Sequence, residues 1–273
     1  MSSQMKTLIG VVAVAIIIVG GYFWFFKKAP EEAAAPMAQV IKFGVAAEPY
    51  PPFSSKNASG VWEGFEIDLM NAVCEQMQAK CELVEVAWDG IIPSLQEKKI
   101  DVIWSSMSIT DKRKEVIDFT DMYYDTPAVF VGAKTGGPQI SKEGLTGKII
   151  GVQTSTTHAD FAQKTYGDVA EVKIYDTQDN ANADLVAGRV DVLLADAIAL
   201  DSFIKSDQGK NYAVLATAPD DPIFGFGVGG GMRKEDNDLE GKLNAAIKAL
   251  QENGKYNEIA KKYFDFDISG KTS

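Results

Sequence analysis

Ile100-Asp101-Val102-Ile103-Trp104-Ser105-Ser106-Met107-Ser108-Ile109-Thr110-Asp111-Lys112-Arg113 reads as a strand, a polar turn and the start of a helix. A short apolar run bounded by turn residues fits a strand. Thr110 suits the helix N-cap, and Arg113 falls three residues later, in the first turn. A cation there opposes the helix macrodipole, so an anion is expected beside it. Serine hydroxyls, loop N–H groups and a guanidinium then converge on one point. That set suits a carboxylate, which arginine grips through two parallel charge-assisted hydrogen bonds. The competing reading is a polar turn carrying a surface arginine.

The pattern has an echo. Leu95-Gln96-Glu97-Lys98-Lys99-Ile100-Asp101 runs into the strand above, and Leu185-Val186-Ala187-Gly188-Arg189-Val190-Asp191 runs into Val192-Leu193-Leu194-Ala195-Asp196. Each is a helix end, a basic residue and an apolar strand with Asp near its start. Counting forward equally from each Asp reaches Ser106 and Asp196, both just past a strand's carboxyl end, where open α/β sheets bind ligands. Two such lobes facing each other set an anion clamp against a carboxylate. The pair complements the two charged ends of a free amino acid.

Outward from this centre the chain reads as two βα series. The first starts with a strand over 40–45 and a proline-stiffened loop. It continues through a turn at Asn57–Gly60 and a helix marked by Ile67, Met70, Val73, Cys74 and Met77. A strand over 82–86 and a short helix after Trp88-Asp89 follow. The second has strands over 148–152, 172–175 and 190–194 and helices from about Ala159 and over 179–187, with Gly188 as the residue after a helix C-cap. A Gly-rich strand is expected over 224–232, then helices near 239–251 and 256–263, with Gly254 between them.

The chain has 273 residues, 46% of them hydrophobic, and a net charge of -11, which suits a folded body and disfavours a nucleic-acid backbone as partner. Leu8–Phe26 carries no charge and would extend about 28 Å as a helix, enough to cross a bilayer core. It ends in aromatic residues and Lys27-Lys28, as at a membrane interface. A cleavage site is poorly formed, so an uncleaved anchor through residues 8–26 is expected rather than a removed signal, with a linker up to residue 39. Cys74 and Cys81 are the only cysteines. They make either a short-loop disulfide, the preferred reading and one that belongs outside the cytoplasm, or two separate buried thiols. His158 is the only histidine, so a His-rich metal site is not expected, and no cofactor is implied.

Several stretches together resemble the bacterial extracytoplasmic solute-binding proteins for polar amino acids, the lysine/arginine/ornithine-, histidine- and arginine-binding proteins of ABC importers. They are Tyr50-Pro51-Pro52-Phe53, Gly64-Phe65-Glu66-Ile67-Asp68-Leu69, the Cys74/Cys81 pair, the run from Ile92 to Asp101, Ser105–Arg113 and Lys261–Asp267. Gly151–His158 looks most like the arginine-binding members. The resemblance implies an α/β, two-lobed type II periplasmic-binding-protein fold. Lobe 1 would be 40–124 with 226–270, lobe 2 129–217, and the hinge 125–128 with 218–225. It implies a monomeric receptor, not an enzyme, that closes on a free L-amino acid (arginine, lysine, ornithine, histidine or glutamine) and delivers it to an importer permease.

Site roles follow from the same resemblance. Arg113, with Ser106, Ser108 and Thr156, would hold the α-carboxylate, and Asp196 and Ser105 the α-ammonium. Tyr50 and Trp88 would sandwich the side chain, and Thr157, His158 and Glu66 would line the distal end. The family's usual acidic position before the aromatic is Ala47 here, with Glu48 one residue later, so Glu48 and Glu66 compete for the distal cation. Two rivals stand beside this reading. A cyclohexadienyl-dehydratase-like enzyme needs a general acid in the cleft, for which Glu48, Glu66 and His158 are candidates. A sensor domain needs an output partner.

Overall fold

A computed structural model describes residues 40–270. The first series comprises β1 (Ile41–Ala46), a ribbon of β2 (Ser55–Lys56) and β3 (Trp62–Glu63), α1 (Phe65–Gln76), β4 (Cys81–Val86), α2 (Ile91–Gln96), β5 (Val102–Ile103), α3 (Asp111–Lys114) and β6 (Asp118–Phe119). The second comprises β7 (Ala128–Ala133), β8 (Ile149–Gln153), α4 (Thr157–Tyr166), β9 (Glu171–Tyr175), α5 (Gln178–Val186), β10 (Val192–Asp196), α6 (Ala197–Lys205) and β11 (Tyr212–Thr217). The chain then returns to the first sheet through β12 (Gly231–Met232) and adds α7 (Asn237–Glu252) and α8 (Lys255–Ala260).

Each series builds one five-stranded sheet, ordered β4-β1-β5-β12-β6 and β11-β7-β10-β8-β9. In the first, β1 runs parallel to β4 and β5, and β12 is antiparallel to β5 and β6. In the second, β8 runs parallel to β10 and β9, and β7 is antiparallel to β10 and β11. Parallel strands buried on both faces need apolar runs, and β5 and Val192–Ala195 of β10 are buried throughout. Each sheet has its own core, with Phe43, Leu69, Trp104 and Tyr256 in one and Phe130, Ile150, Phe161 and Leu194 in the other.

The echo is structural. Lys98 and Gly188 both take a left-handed conformation, with φ of 61° and 70°. Lys99 N–H then bonds Ser94 O and Arg189 N–H bonds Asp184 O, each at the six-to-one spacing that closes a helix end. Asp101 accepts from the backbone N–H of Lys42 at 3.0 Å, and Asp191 from that of Ile149 at 2.9 Å. Each Asp thereby ties its strand to the first parallel neighbour, and Ser106 and Asp196 emerge at matching ends.

Cys74 and Cys81 form a disulfide between α1 and the start of β4. The Gly-rich strand expected over 224–232 shortens to Gly231–Met232, with Pro222–Phe224 a 3-10 turn. Gly225 and Gly227 have φ of 86° and 81°, which breaks the extended run. A Cβ at Gly225 would meet Ile109 O at 2.1 Å, so close approach of two backbones explains that glycine, and the pairing of this segment is reduced to bridges from Val228 to Ser108 and Tyr124. Among the described residues no helix is long and apolar enough to cross a membrane; the anchor expected over residues 8–26 lies outside them.

Candidate functional site

The ends of β5, β8 and β10 face one another across a cleft of about 470 Å³, open solvent at its mouth included. Thr110 caps α3, its Oγ1 accepting from Arg113 N–H at 3.2 Å. The cap turns the Arg113 side chain into the cleft, where Nη1 donates to Ser108 O at 2.9 Å and Nη2 to Ser155 O, on the other lobe, at 3.1 Å. Both bonds go to carbonyls rather than to a carboxylate. Burial pushes the Arg113 pKa down to about 10, against the pull of Asp160 and Asp196; it still carries its charge at neutral pH. A desolvated cation whose hydrogen bonds to Ser108 and Ser155 reach only neutral carbonyl oxygens is a strong anion receptor.

Asp196 stands at the N-cap of α6 but makes no side-chain cap bond. Its carboxylate turns into the cleft instead. It accepts a short hydrogen bond from the Tyr50 hydroxyl of the opposite lobe, and its other oxygen lies 3.6 Å from His158 Nε2. Burial raises the Asp196 pKa, opposed by His158 and Tyr50. Burial likewise lowers that of His158, opposed by Asp196.

Trp88 lies against the cleft with its ring 5.7 Å from the Arg113 guanidinium carbon, and its indole N–H donates across the cleft to Thr154 O at 2.9 Å. Glu48 accepts from Trp88 N–H at 3.1 Å and lines the cleft. Thr156 caps α4 by accepting from Ala159 N–H, which sets Thr157 and His158 in its first turn on the cleft wall. Ser105, Ser106 and Ser108 line the facing wall, with Ser105 Oγ accepting from Ala46 N–H at 3.0 Å.

Glu66 is the residue expected in the cleft that the structure does not bring there. It is 0% exposed and lies beneath the floor. One carboxylate oxygen accepts from Ser106 N–H at 2.9 Å and the Tyr123 hydroxyl at 2.5 Å, the other from Ser106 Oγ at 2.9 Å. As the second residue of α1 it points inward along the helix N-terminus, so the distal role implied for it has no opening to act through. Sequence reasoning missed Ala46, Pro49 and Gln153 on the cleft wall. Gln153 ends β8, so the strand-end rule that marked Ser106 and Asp196 would have reached it. The carbonyls of Thr154 and Ser155 are backbone acceptors, to which a side-chain reading is blind.

The profile of the bacterial extracellular solute-binding proteins, family 3, matches residues 41–266. The L-arginine-binding protein of Pseudomonas aeruginosa is 46% identical over 233 residues, 84% of this chain and 90% of the relative. The histidine-binding periplasmic protein of Salmonella typhimurium is 42% identical over 242 residues, 87% of this chain and 92% of that one. A solved Salmonella typhimurium periplasmic binding protein of high arginine specificity superposes with a TM-score of 0.77 at 32% identity, covering 83% of this chain and 100% of that one.

Proposed function

Because the chain belongs to family 3 of the bacterial extracellular solute-binding proteins, we propose that it captures a polar, basic L-amino acid outside the cytoplasm, arginine before the others, and delivers it to an ABC importer. The observation that carries this reading is the charge pair set across one cleft: Arg113, without a carboxylate bond, faces the Asp196 carboxylate. An α-amino acid complements both ends at once. Arg113, Ser108 and Thr156 take the α-carboxylate; Asp196 and Ser105 take the α-ammonium. Tyr50 and Trp88 flank the side chain, with Thr157 and His158 beside them, and Glu48 is the acidic group left on the cleft wall for a distal cation.

Residues 125–128 and 218–225 serve as the hinge. A ligand touching both lobes favours closure by its differential affinity for the closed state. No step needs covalent chemistry, so the activity is binding. The Cys74–Cys81 bridge suits an oxidising compartment, and the body is tethered by residues 8–26, which fractionation of intact protein with membranes would test.

The experiment is calorimetry of protein unfolded and refolded to strip carried solute, screened against the twenty amino acids. Arginine should bind most tightly, followed by lysine or histidine. Binding of a neutral apolar amino acid in preference to all of these would sink the reading.

A further inference from the structure

Ser106 has a left-handed backbone, φ 51°, and both of its donors are committed. Its N–H and its hydroxyl each reach a Glu66 oxygen at 2.9 Å. Serine has one N–H and one O–H to give. While Glu66 accepts both, Ser106 can offer the cleft only acceptors: its carbonyl and the lone pairs of Oγ. A group of that kind cannot hold a carboxylate, and it suits an ammonium. From these bonds we infer that Glu66 is a positioning residue that makes Ser106 an acceptor for the ligand's α-ammonium, beside Asp196, and removes it from the carboxylate clamp.

The surroundings support the assignment. Glu66 meets donors and no cation: Ser106 twice and the Tyr123 hydroxyl. Its place in the first turn of α1 adds the positive end of the helix to those donors. Other titratable groups close enough to feel its charge are Tyr50, Tyr124 and Asp196. Burial raises its pKa while the three donated bonds lower it. Glutamine in its place keeps the shape and reverses the bond to Ser106. The amide oxygen still accepts from Ser106 N–H and Tyr123, but the amide NH₂ must donate to Ser106 Oγ. The serine proton then leaves Glu66 for the neighbouring Tyr124 hydroxyl or the cleft, and the Oγ lone pair taken by the amide is no longer free for the ammonium.

The inference rests on the amino-acid reading of the cleft, and three probes separate the two. They are L-arginine, L-argininamide, which lacks the carboxylate, and 5-guanidinopentanoate, which lacks the α-ammonium. Calorimetry is run on full-length wild type, Glu66→Gln, Ser106→Gly and the double variant, with folding checked by thermal unfolding. Glycine suits the positive φ and removes only the hydroxyl, so Ser106→Gly remains informative if Glu66→Gln fails to fold. Glu66→Gln should weaken L-arginine and L-argininamide by about 10-fold or more, the scale of a charged hydrogen bond, and leave 5-guanidinopentanoate within twofold of wild type. Ser106→Gly should show the same ligand pattern more mildly, and Glu66→Gln should cost little more in its background. Equal losses for all three probes, or losses that follow the carboxylate, would overturn the inference and leave the cleft reading intact. Wild type that binds no L-arginine would overturn both.

Discussion

Arg113 and Trp88 touch the same space but should fail differently. In the proposed binding mode Arg113 meets a group that every α-amino acid carries, while Trp88 meets only the side chain. Leaving a buried partner charge unpaired costs more than the roughly 1.5–3 kcal/mol of the bond itself. Arg113→Ala should therefore weaken every amino-acid ligand by at least about 100-fold, whereas Trp88→Ala should change their order, hitting arginine harder than a small polar amino acid. Calorimetry on both variants decides it; normal binding by Arg113→Ala would return the clamp to a polar turn. Asp196 and His158 give a pH prediction. Burial raises the Asp196 pKa and lowers that of His158, with Tyr50, Arg113 and Asp125 as the other groups acting on the pair. An ammonium beside Asp196 favours its charged form and disfavours protonated His158. Binding must then release protons wherever either is part-protonated, so arginine affinity should hold from about pH 7 up to the range where the ligand's own α-ammonium loses its proton, and fall below about pH 7. Calorimetry at mildly acid pH in buffers of different ionisation enthalpy measures this directly; net proton uptake would contradict it.

At the scale of elements, the helix ends and caps were the most legible features. Thr110, Gly188 and Gly254 act locally, through bonds a few residues long, and the structure has the Thr110 cap, with φ of 70° and 82° at the two glycines. The strand over 224–232 was the least legible. Its Gly225 serves a close approach to the backbone of Ile109, far away in sequence, which composition cannot distinguish from a flexible strand. The disulfide belongs to this scale too. It closes a short loop between α1 and β4, and neither cysteine lines the cleft. Replacing both with serine should cost about 2.5 kcal/mol in the chain-entropy model, or roughly 5 to 10 °C in Tm for a domain of this size, with arginine affinity within twofold of wild type. A large loss of affinity with little loss of stability would show that the bridge supports the cleft rather than the fold.

Across the whole molecule, the two lobes meet through Tyr50 with Asp196, Trp88 with Thr154 O and Arg113 with Ser155 O. If these are contacts of the closed form, arginine should lower the radius of gyration in small-angle scattering, and an unchanged radius would remove hinge closure from the mechanism. The Lys112–Asp160 pair also crosses, at 2.7 Å, but its side chains are 78% and 49% exposed. Such pairs are worth about 1 kcal/mol at most, so Lys112→Ala should change affinity less than about fivefold, and less still in high salt. Sequence alone determined the two βα series, the matched strand ends carrying Ser106 and Asp196, and the setting of a cation, Arg113, against a carboxylate, Asp196, in one cleft, because each rests on local periodicity, capping or charge type. Only the tertiary structure decided which of Glu48 and Glu66 lines the cleft. Glu48 and Glu66 are alike as residues; Glu66 sits in the first turn of α1, where the helix end and two hydroxyls draw it under the floor, while Glu48 stays on the wall beside Trp88. That choice depends on partners about 40 to 57 residues away, and no local pattern records it.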